Sequence, residues 1–294
     1  MTLEERGIGL PFTMGHEVVG EVAALGPDAS GVSVGERRIV FPWIGCGTCA
    51  VCRRGDELLC LAPHTVGTRR DGGYAEYCLV PDAKYLVDFD GVPEAYAATC
   101  ACSGVTAYSA LKKVDFLSAD GHLLIIGAGG VGLNAVGMAK ALIDAKVIVA
   151  DTDADKRAAA LAAGADAALD NSGSDAVAEL LEMTGGGPGA AIDFVGAPST
   201  SGFAVQGLAR GGTLVGVGLY GDTLPLPLVM LPLKMLRILG SYVGTLDEMH
   251  ELMALVKAGK VRPMPVTERP LGDAPQAIAD LRAGKTVGRY VLKA

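Results

Sequence analysis

The sequence His122-Leu-Leu-Ile-Ile-Gly127-Ala-Gly129-Gly130-Val131-Gly132 is the most informative segment of this chain. Its apolar start predicts a buried β-strand, and the segment after the glycine turn has the apolar periodicity of a helix. A second β-branched run, Val147–Ala150, follows and ends at Asp151. Strand, glycine turn, helix, strand and acidic residue within about thirty residues are the layout of a dinucleotide-binding site.

The glycines of the turn have separate roles in such a site. Gly127 makes the tight turn, Gly129 lets the backbone approach a pyrophosphate, and Gly132 lets the helix pack on the strand. Free N–H groups at the helix start, with Gly130 and Val131, face the phosphates together with the positive end of the helix dipole.

Two residues beyond the turn are candidates for the adenosine ribose. Asp151 is placed to accept hydrogen bonds from the ribose hydroxyls, and its charge would repel a 2′-phosphate, so the sequence favours NAD over NADP. Lys156 either adds a second ribose contact or is a solvated charge on the next helix.

The alternation of strands and helices continues beyond Asp151. Strands are predicted at Ala190–Val195 and Gly212–Val217, with helices before and between them, so we expect a doubly wound parallel sheet. The proline-rich stretch Leu224–Leu228 is expected to be an exposed edge or loop. It is either a subunit contact or a loop folded onto its own domain.

Composition excludes several classes of function. The 294 residues carry a formal net charge of −8 and no basic stripe, which argues against a nucleic-acid partner. No apolar run approaches the ~18 residues of a membrane span. Met1–Glu5 lacks the features of a signal peptide. The seven cysteines cluster at metal-ligand spacings rather than as a disulfide framework, so we expect a cytoplasmic protein.

The first hundred residues have a different pattern. Short apolar runs at Val18–Val22 and Ile39–Phe41, separated by turns, predict a β-rich, barrel-like region. His16 lies beside a carboxylate at the start of the first run, where it is either a core histidine or a metal ligand. The segment after Asp71 is expected to be a turn feeding a strand that carries Cys78, a small core residue.

Four cysteines follow one another closely, at Cys46, Cys49, Cys52 and Cys60. Four thiolates at this spacing predict a closed tetrahedral zinc site that stabilises a loop and takes no part in catalysis. An iron–sulfur cluster in an electron-transfer module is the alternative, but the long last spacing and the lack of a Cys-Pro favour zinc.

A helix is predicted to open near Ala98 and to run to about Lys113. A cysteine at a helix start feels the positive end of the dipole, which favours the thiolate that a metal needs. Cys100 and Cys102 both lie in this position.

These features together resemble the zinc-dependent medium-chain alcohol dehydrogenase family over nearly the whole chain. The matching pieces are Gly15-His16-Glu17, the Cys46/Cys49/Cys52/Cys60 lobe, Asp71-Gly-Gly-Tyr-Ala-Glu-Tyr77, Cys102-Ser-Gly-Val-Thr106, the Gly127–Gly132 turn with Asp151, and Gly288-Arg289.

The resemblance implies an α/β fold in which a Rossmann-type doubly wound parallel sheet is inserted in a β-rich, GroES-like catalytic domain. Residues 1–103 and 246–294 are then the catalytic domain, and 104–245 the dinucleotide-binding domain. It also implies one structural and one catalytic zinc, NAD-linked interconversion of a small-molecule alcohol and its carbonyl, and a homo-oligomer, either dimer or tetramer.

The resemblance further implies roles for individual residues. His16 and Cys102 are catalytic-zinc ligands, which is the Cys and His part of the ligand set typical of alcohol dehydrogenase. Glu17 is a neighbouring carboxylate able to approach the metal. Thr106 contacts the nicotinamide side of the cofactor, and Arg289 its pyrophosphate.

One feature departs from the family pattern. Family members carry a further ligand cysteine, with a hydroxyl residue of the proton relay close behind it, a few dozen residues before the Gly-His-Glu motif. The fourteen residues before Gly15 contain no cysteine. We therefore expect one of two situations: either the numbered chain starts after the segment with the first ligand, or the protein lacks that ligand. The alternative function is an NAD-binding protein with a structural zinc and an incomplete, inactive catalytic site.

Overall fold

The computed structural model describes residues 7–221 and 223–294. The chain forms two compact units. We call Met1–Val105, Val243–Ala258 and Val266–Ala294 the metal unit, and Thr106–Tyr242 with Gly259–Pro265 the nucleotide unit. The predicted domains, 1–103 with 246–294 and 104–245, differ from these units mainly at Gly259–Pro265; as functional domains they stay a prediction.

Short strands and helices alternate along the chain. The strands are β1 (Val18–Glu21), β2 (Arg37–Val40), β3 (Leu86–Val87), β4 (His122–Ile126), β5 (Lys146–Ala150), β6 (Ala167–Leu169), β7 (Ala190–Asp193), β8 (Thr213–Gly216), β9 (Arg237–Gly240), β10 (Val266–Pro270) and β11 (Arg289–Lys293). The α-helices are α1 (Ala50–Arg53), α2 (Glu94–Thr99), α3 (Val105–Lys112), α4 (Gly130–Leu142), α5 (Ala154–Ala163), α6 (Ala176–Thr184), α7 (Pro198–Gly207), α8 (Met230–Lys234), α9 (Leu246–Lys257) and α10 (Ala274–Arg282).

The nucleotide unit contains one parallel sheet with the strand order β6-β5-β4-β7-β8-β9. Strand β4 lies at the centre because its apolar residues, Leu123–Ile126, are buried on both faces. After β4 the chain adds β5 and β6 on one side of this strand and then β7, β8 and β9 on the other side. The direction in which strands are added therefore reverses between β4 and β7. The predicted doubly wound sheet is confirmed, and its switch point lies beside the glycine turn.

The metal unit is β-rich, as the sequence predicts. Strands β1, β2 and β3 form an antiparallel sheet, and β10 pairs with β11 in a two-stranded parallel sheet. The core residues of this unit include Ile39, Phe41, Trp43 and Val87, all almost fully buried. Burial of these side chains supplies the hydrophobic stabilisation that a unit of such short strands needs.

Two local predictions are wrong. The segment that carries Cys78 is extended and irregular, with no strand pairing at that residue. The helix does not open near Ala98, because α2 already begins at Glu94, directly after Pro93. Residues Cys100–Gly104 form a π-helical turn between α2 and α3. Cys100 and Cys102 therefore lie inside a helical stretch and not at the helix start that was predicted for them.

The stretch Leu224–Leu228 is irregular, as expected for an edge or loop. Leu226 packs against the core of the nucleotide unit, whereas Leu228 is 77% exposed. Every helix within residues 7–221 and 223–294 is too short or too polar to span a membrane.

Candidate active site and metal centres

The four cysteines of the metal unit converge. Their sulfur atoms all lie within 4.8 Å of one another, and the sulfurs of Cys49 and Cys52 are 3.4 Å apart. Cys46 lies 3.9 Å from Cys52, and Cys49 lies 3.9 Å from Cys60. A tetrahedral zinc about 2.3 Å from each sulfur would place the sulfurs about 3.8 Å apart, so this cluster fits a structural zinc.

The pKa values of two thiols in this cluster are shifted in opposite directions. The Thr48 hydroxyl and nearby N–H groups lower the pKa of the Cys46 thiol to about 5. Burial and a hydrogen bond with Cys49 raise the pKa of Cys52 to about 12. Metal ligands must be deprotonated, so we expect zinc binding to this cluster to release protons.

Glu57 anchors the cysteine lobe to the 3-10 turn directly before β3. Its Oε2 accepts hydrogen bonds from the Gly45 N–H and the Tyr85 hydroxyl, both at 2.8 Å. Its Oε1 lies 3.2 Å from the Lys84 ammonium. The lobe therefore has a fixed attachment next to its first cysteine.

His16 is held against Trp43. The two rings meet edge to face with their centroids 5.2 Å apart, and the indole N–H donates to the Ala101 carbonyl at 3.0 Å. Burial lowers the pKa of His16 below its ordinary value of 6.5; Glu17 opposes this shift and Arg289 adds to it. A neutral imidazole, which is the form that ligates zinc, is therefore favoured near neutral pH.

Glu17 connects His16 to the cysteine segment. Its Oε1 accepts a hydrogen bond from the Ser103 N–H at 3.0 Å, directly after Cys102. Arg289 lies 3.4 Å from the same oxygen. Residues far apart in the sequence, which the resemblance groups into one site, are thus neighbours in the metal unit.

The two cysteines of the π-helical turn differ in burial. Cys100 is fully buried, its thiol contacts the Tyr96 carbonyl at 3.6 Å, and burial raises its pKa to about 12. Cys102 is only partly buried. Because metal binding requires a thiolate that a cation can reach, Cys102 is the better ligand candidate.

The catalytic-zinc residues are less closely grouped than the four cysteines. Among residues 7–221 and 223–294, the four-cysteine lobe is the one group of three or more His, Cys, Asp or Glu side chains whose ligand atoms all lie within 4.8 Å. His16, Glu17 and Cys102 do not form a second such group. Their donor chemistry, a neutral imidazole, a thiol and a carboxylate, suits zinc, but they do not close a three-ligand site.

A cavity of about 330 Å³ in the metal unit is lined by His16, Glu17 and Arg289, among others. The Arg289 Nε atom is buried and has no hydrogen-bond partner in the described part of the chain. This unsatisfied donor next to a carboxylate is a polar group that an anionic ligand or a water would satisfy.

The glycine turn of the nucleotide unit has the geometry that the sequence predicts. Gly127 has a φ of +90°, and a Cβ on Gly132 would lie 1.8 Å from the Gly127 carbonyl oxygen. A Cβ on Gly129 would meet no atom within 4 Å. The backbone at Gly129 is therefore open to a ligand, while Gly127 and Gly132 are required by the fold.

Asp151 lies at the end of β5, beside the turn. Its carboxylate accepts hydrogen bonds from the Ala128 N–H at 2.7 Å and from the Asp153 N–H at 2.9 Å. Each carboxylate oxygen retains a lone pair for a ribose hydroxyl. Arg157, which the sequence did not single out, donates to the Asp151 carbonyl at 2.7 Å.

The remaining predicted cofactor residues lie on helices. Lys156 is partly buried in the first turn of α5, where its N–H donates to Asp153 at 3.2 Å. Thr106 is buried in the first turn of α3.

Asp193, at the end of β7, is a buried residue that sequence reasoning missed. It is fully buried and accepts four hydrogen bonds, from the N–H groups of Val195 and Gly196 and from the hydroxyls of Thr200 and Ser201. It orders the loop after β7 at the switch point. The sequence feature that could have identified Asp193 is its place as an acidic residue at the end of an otherwise apolar strand.

Comparison with known proteins gives matches in both units. An alcohol dehydrogenase GroES-like domain matches residues 2–91, and a zinc-binding dehydrogenase domain matches residues 130–258. An NAD-dependent alcohol dehydrogenase of Sulfurisphaera tokodaii is 39% identical over 99% of this chain and 84% of the relative. This chain belongs to the zinc-dependent medium-chain alcohol dehydrogenase family.

Solved structures agree with this assignment. The alcohol dehydrogenase of Aeropyrum pernix superposes with a TM-score of 0.91 at 32% identity, covering 97% of this chain and 84% of that one. A cobalt- and zinc-bound alcohol dehydrogenase of Pyrobaculum aerophilum gives a TM-score of 0.85 at 27% identity, covering 97% and 83%. The predicted fold and the predicted zinc- and NAD-dependent alcohol dehydrogenase are confirmed. The assignment of single residues to the two sites stays a prediction.

Proposed function

We propose that this NAD-dependent alcohol dehydrogenase oxidises a small-molecule alcohol to its aldehyde or ketone through His16, Glu17 and Cys102. The observation that carries the proposal is the 3.0 Å hydrogen bond from the Ser103 N–H to Glu17. That bond joins the Gly-His-Glu motif to the segment of Cys102. The same fold occurs in proteins with many different reactions, so the function is inferred from the residues of the site.

His16 and Cys102 would hold the catalytic zinc, and Glu17 would adjust its charge. When bound, this ion polarises the alcohol oxygen and lowers the pKa of the alcohol. The residues of the chain prepare for that role. Burial keeps the His16 imidazole neutral, and Trp43 fixes the plane of its ring. Glu17 places a negative charge beside the imidazole, which raises its basicity as a ligand.

The cofactor would lie on the glycine turn of the nucleotide unit. Gly129 would admit the pyrophosphate, and Gly127 and Gly132 form the tight turn that presents it. Gly130 and Val131 would supply N–H groups at the start of α4. Asp151 would accept the ribose hydroxyls, with Lys156 as a second contact. Thr106 is proposed for the nicotinamide side and Arg289 for the pyrophosphate. The protein orients the nicotinamide, and hydride transfer is the chemistry of NAD itself.

A panel of primary, secondary and aryl alcohols tests the proposal. We expect the purified zinc-loaded protein to form NADH with at least one class, and the His16→Gln variant to lose at least about a hundredfold of kcat. His64→Gln, in a loop outside the proposed site, is the matched control. Absence of NADH formation with added zinc, for every alcohol tested, would contradict the proposal.

The alternative is an NAD-binding protein with a structural zinc and no turnover. It is favoured by the single closed group of metal donors in the described part of the chain. Metal analysis separates the two functions. Two zinc ions per chain support the enzyme, whereas one, lost in Cys46→Ser, supports the binding protein.

We also propose that the protein is a homo-oligomer, dimer or tetramer, with β9 in the interface. Strand β9 lies at the edge of the sheet and all four of its residues are exposed, including Ile238 and Leu239. An exposed apolar edge strand invites pairing with a second copy about a two-fold axis. Leu239→Lys should reduce the mass measured by light scattering, whereas Leu281→Lys on α10 should not. An unchanged mass would contradict this interface.

A cytoplasmic location is proposed on the chemistry of the cysteines. All seven are thiols, and four of them form the metal-ligand cluster. Free thiolate ligands persist in a reducing compartment, whereas an oxidising one would couple them as disulfides. Cell fractionation with a cytosolic marker enzyme tests this proposal, and recovery outside the cytosolic fraction would contradict it.

A further inference from the structure

The backbone before His16 is bonded to the segment Asp71–Tyr74. The N–H groups of Gly72, Gly73 and Tyr74 donate to the carbonyls of residues 13, 15 and 14, at distances of 2.8, 2.9 and 2.9 Å. In the opposite direction, the N–H of Thr13 donates to the Asp71 carboxylate at 2.7 Å. Four hydrogen bonds therefore fix three consecutive residues directly before the proposed zinc ligand.

Glycines enclose the last of these residues. A Cβ on Gly72 would lie 2.0 Å from the Gly15 carbonyl oxygen, and a Cβ on Gly67 would lie 2.1 Å from the same atom. Gly15 has a φ of +100°, and a Cβ on it would lie 2.8 Å from the Tyr74 nitrogen. The atoms nearest to a Cβ on Gly67 or Gly72 are all backbone, whereas a Cβ on Gly15 would also meet the Tyr74 ring at 2.6 Å. A side chain at Gly67 or Gly72 therefore requires a shift of the peptide that leads into His16.

We propose that Asp71 and Gly72 are positioning residues that fix His16 for the catalytic metal. The inference rests on the proposed function, because it assumes that His16 is a ligand. Zinc–nitrogen distances tolerate deviations of only about 0.2 Å. Restoring a normal contact at Gly72 would move the Gly15 carbonyl by roughly 1 Å, since a Cβ rarely approaches oxygen closer than about 3 Å. The next residue along the chain is His16.

The geometry distinguishes this role from ordinary packing. Gly20 lies on β1, four residues after His16, and a Cβ there would meet no atom within 4 Å. Gly20→Ala adds the same methyl group to the same part of the metal unit without touching the segment before His16. It is therefore the matched control for Gly72→Ala.

The main experiment compares zinc content and the His16 ring in the two variants. We expect Gly72→Ala to retain the structural zinc and to lose the catalytic one, so that zinc falls from two ions to one per chain. In the zinc-free protein, the His16 imidazole resonance, assigned with His16→Gln, should shift because the ring moves relative to Trp43. Gly20→Ala should match the parent in both measurements. Parent-like zinc content and His16 resonance in Gly72→Ala would overturn the inference.

Asp71 supplies a milder pair of variants in case Gly72→Ala does not fold. Asp71 is exposed and its carboxylate accepts the Thr13 N–H. Asp71→Ala removes that acceptor, whereas Asp71→Asn keeps an oxygen in the same place. We expect Asp71→Ala to weaken zinc binding at the catalytic site roughly tenfold, as supporting contacts do, and Asp71→Asn to restore it. Equal zinc affinity in all three proteins would overturn the inference.

The outcomes also separate this inference from the proposed function. A parent protein that holds one zinc contradicts the catalytic site itself. In that case the His16 resonance of the zinc-free variants still decides whether Gly72 and Asp71 position the ring. A parent with two zinc ions and unaffected variants leaves the proposed function intact and contradicts only the positioning role.

Discussion

Glu17 and Arg289, 272 positions apart in the sequence, form an ion pair with a 3.4 Å separation in the metal unit. Both side chains are about a quarter exposed, so solvent screens the pair only in part. The same carboxylate oxygen accepts the Ser103 N–H. The Glu17 carboxylate, directly after His16 in the chain, therefore contacts both Arg289 and the segment that carries Cys102.

Replacing Glu17 by Gln tests the electrostatic part of this arrangement. The amide oxygen can still accept the Ser103 N–H, but the negative charge beside His16 and Arg289 is lost. We expect catalytic-zinc affinity to fall about 10–100-fold, with the structural zinc retained. Competition with a zinc chelator measures the affinity. Glu76→Gln, outside this cluster, is the control, and equal zinc affinities in Glu17→Gln and the control would refute the role.

Two glycines of the nucleotide turn should respond differently to the same methyl group. Gly132→Ala places a Cβ against the Gly127 carbonyl and should lower the free energy of unfolding by about 1–3 kcal/mol. Gly129→Ala meets no protein atom, so stability should be preserved while NAD affinity falls roughly tenfold or more. Denaturant unfolding and NAD titration measure the two effects. Normal NAD binding by Gly129→Ala would show that the pyrophosphate does not approach this residue.

Asp151 should determine the choice between NAD and NADP. Its charge accepts ribose hydroxyls and repels a 2′-phosphate. Asp151→Asn keeps an acceptor for the Ala128 N–H but removes the charge, so the kcat/KM ratio of NAD to NADP should fall roughly tenfold or more. Steady-state kinetics with both cofactors measures the ratio. A ratio equal to that of the parent would mean that another group selects the cofactor.

Burial of His16 predicts a pH dependence of stability. Its pKa is lowered in the folded protein, so the unfolded chain binds more protons once the pH falls below about 6.5. The contribution of His16 is fully present above that pH, and it is lost as the pH falls through the lower folded pKa. Zinc-free parent protein should therefore lose more stability between pH 7.5 and 5.5 than His16→Gln, by denaturant unfolding. Parallel curves for the two proteins would disprove this.

The sequence predicted best where local pattern and fold agree. The run from His122 to Asp151 becomes β4, the turn, α4 and β5, because buried apolar strands and required glycines are both visible in the sequence. Helix α9 begins at Leu246 because Thr245 and Glu248 form a capping box at its start, a pattern that is visible in the sequence. The spacing of the four cysteines likewise predicted their convergence.

The sequence failed where long-range contacts decide. A strand at Cys78 would need a neighbouring strand to pair with, and the local sequence does not show whether one is present. The predicted helix start at Ala98 was based on the apolar residues that follow it. The earlier start of α2 at Glu94 is indicated in the sequence by Pro93 and by an acidic residue in the first turn. The contact of Trp43 with His16 and the bond between Ser103 and Glu17 join distant segments, and only the fold reveals them.

The zinc content of the protein decides whether His16 and Cys102 hold a catalytic metal. Purified parent protein, loaded with zinc and freed of excess metal, should hold two ions per chain by elemental analysis. His16→Gln and Cys102→Ser should each hold one, and Cys46→Ser should lose the other. One zinc per chain in the parent, unchanged in His16→Gln and Cys102→Ser, would contradict a catalytic metal site at these residues.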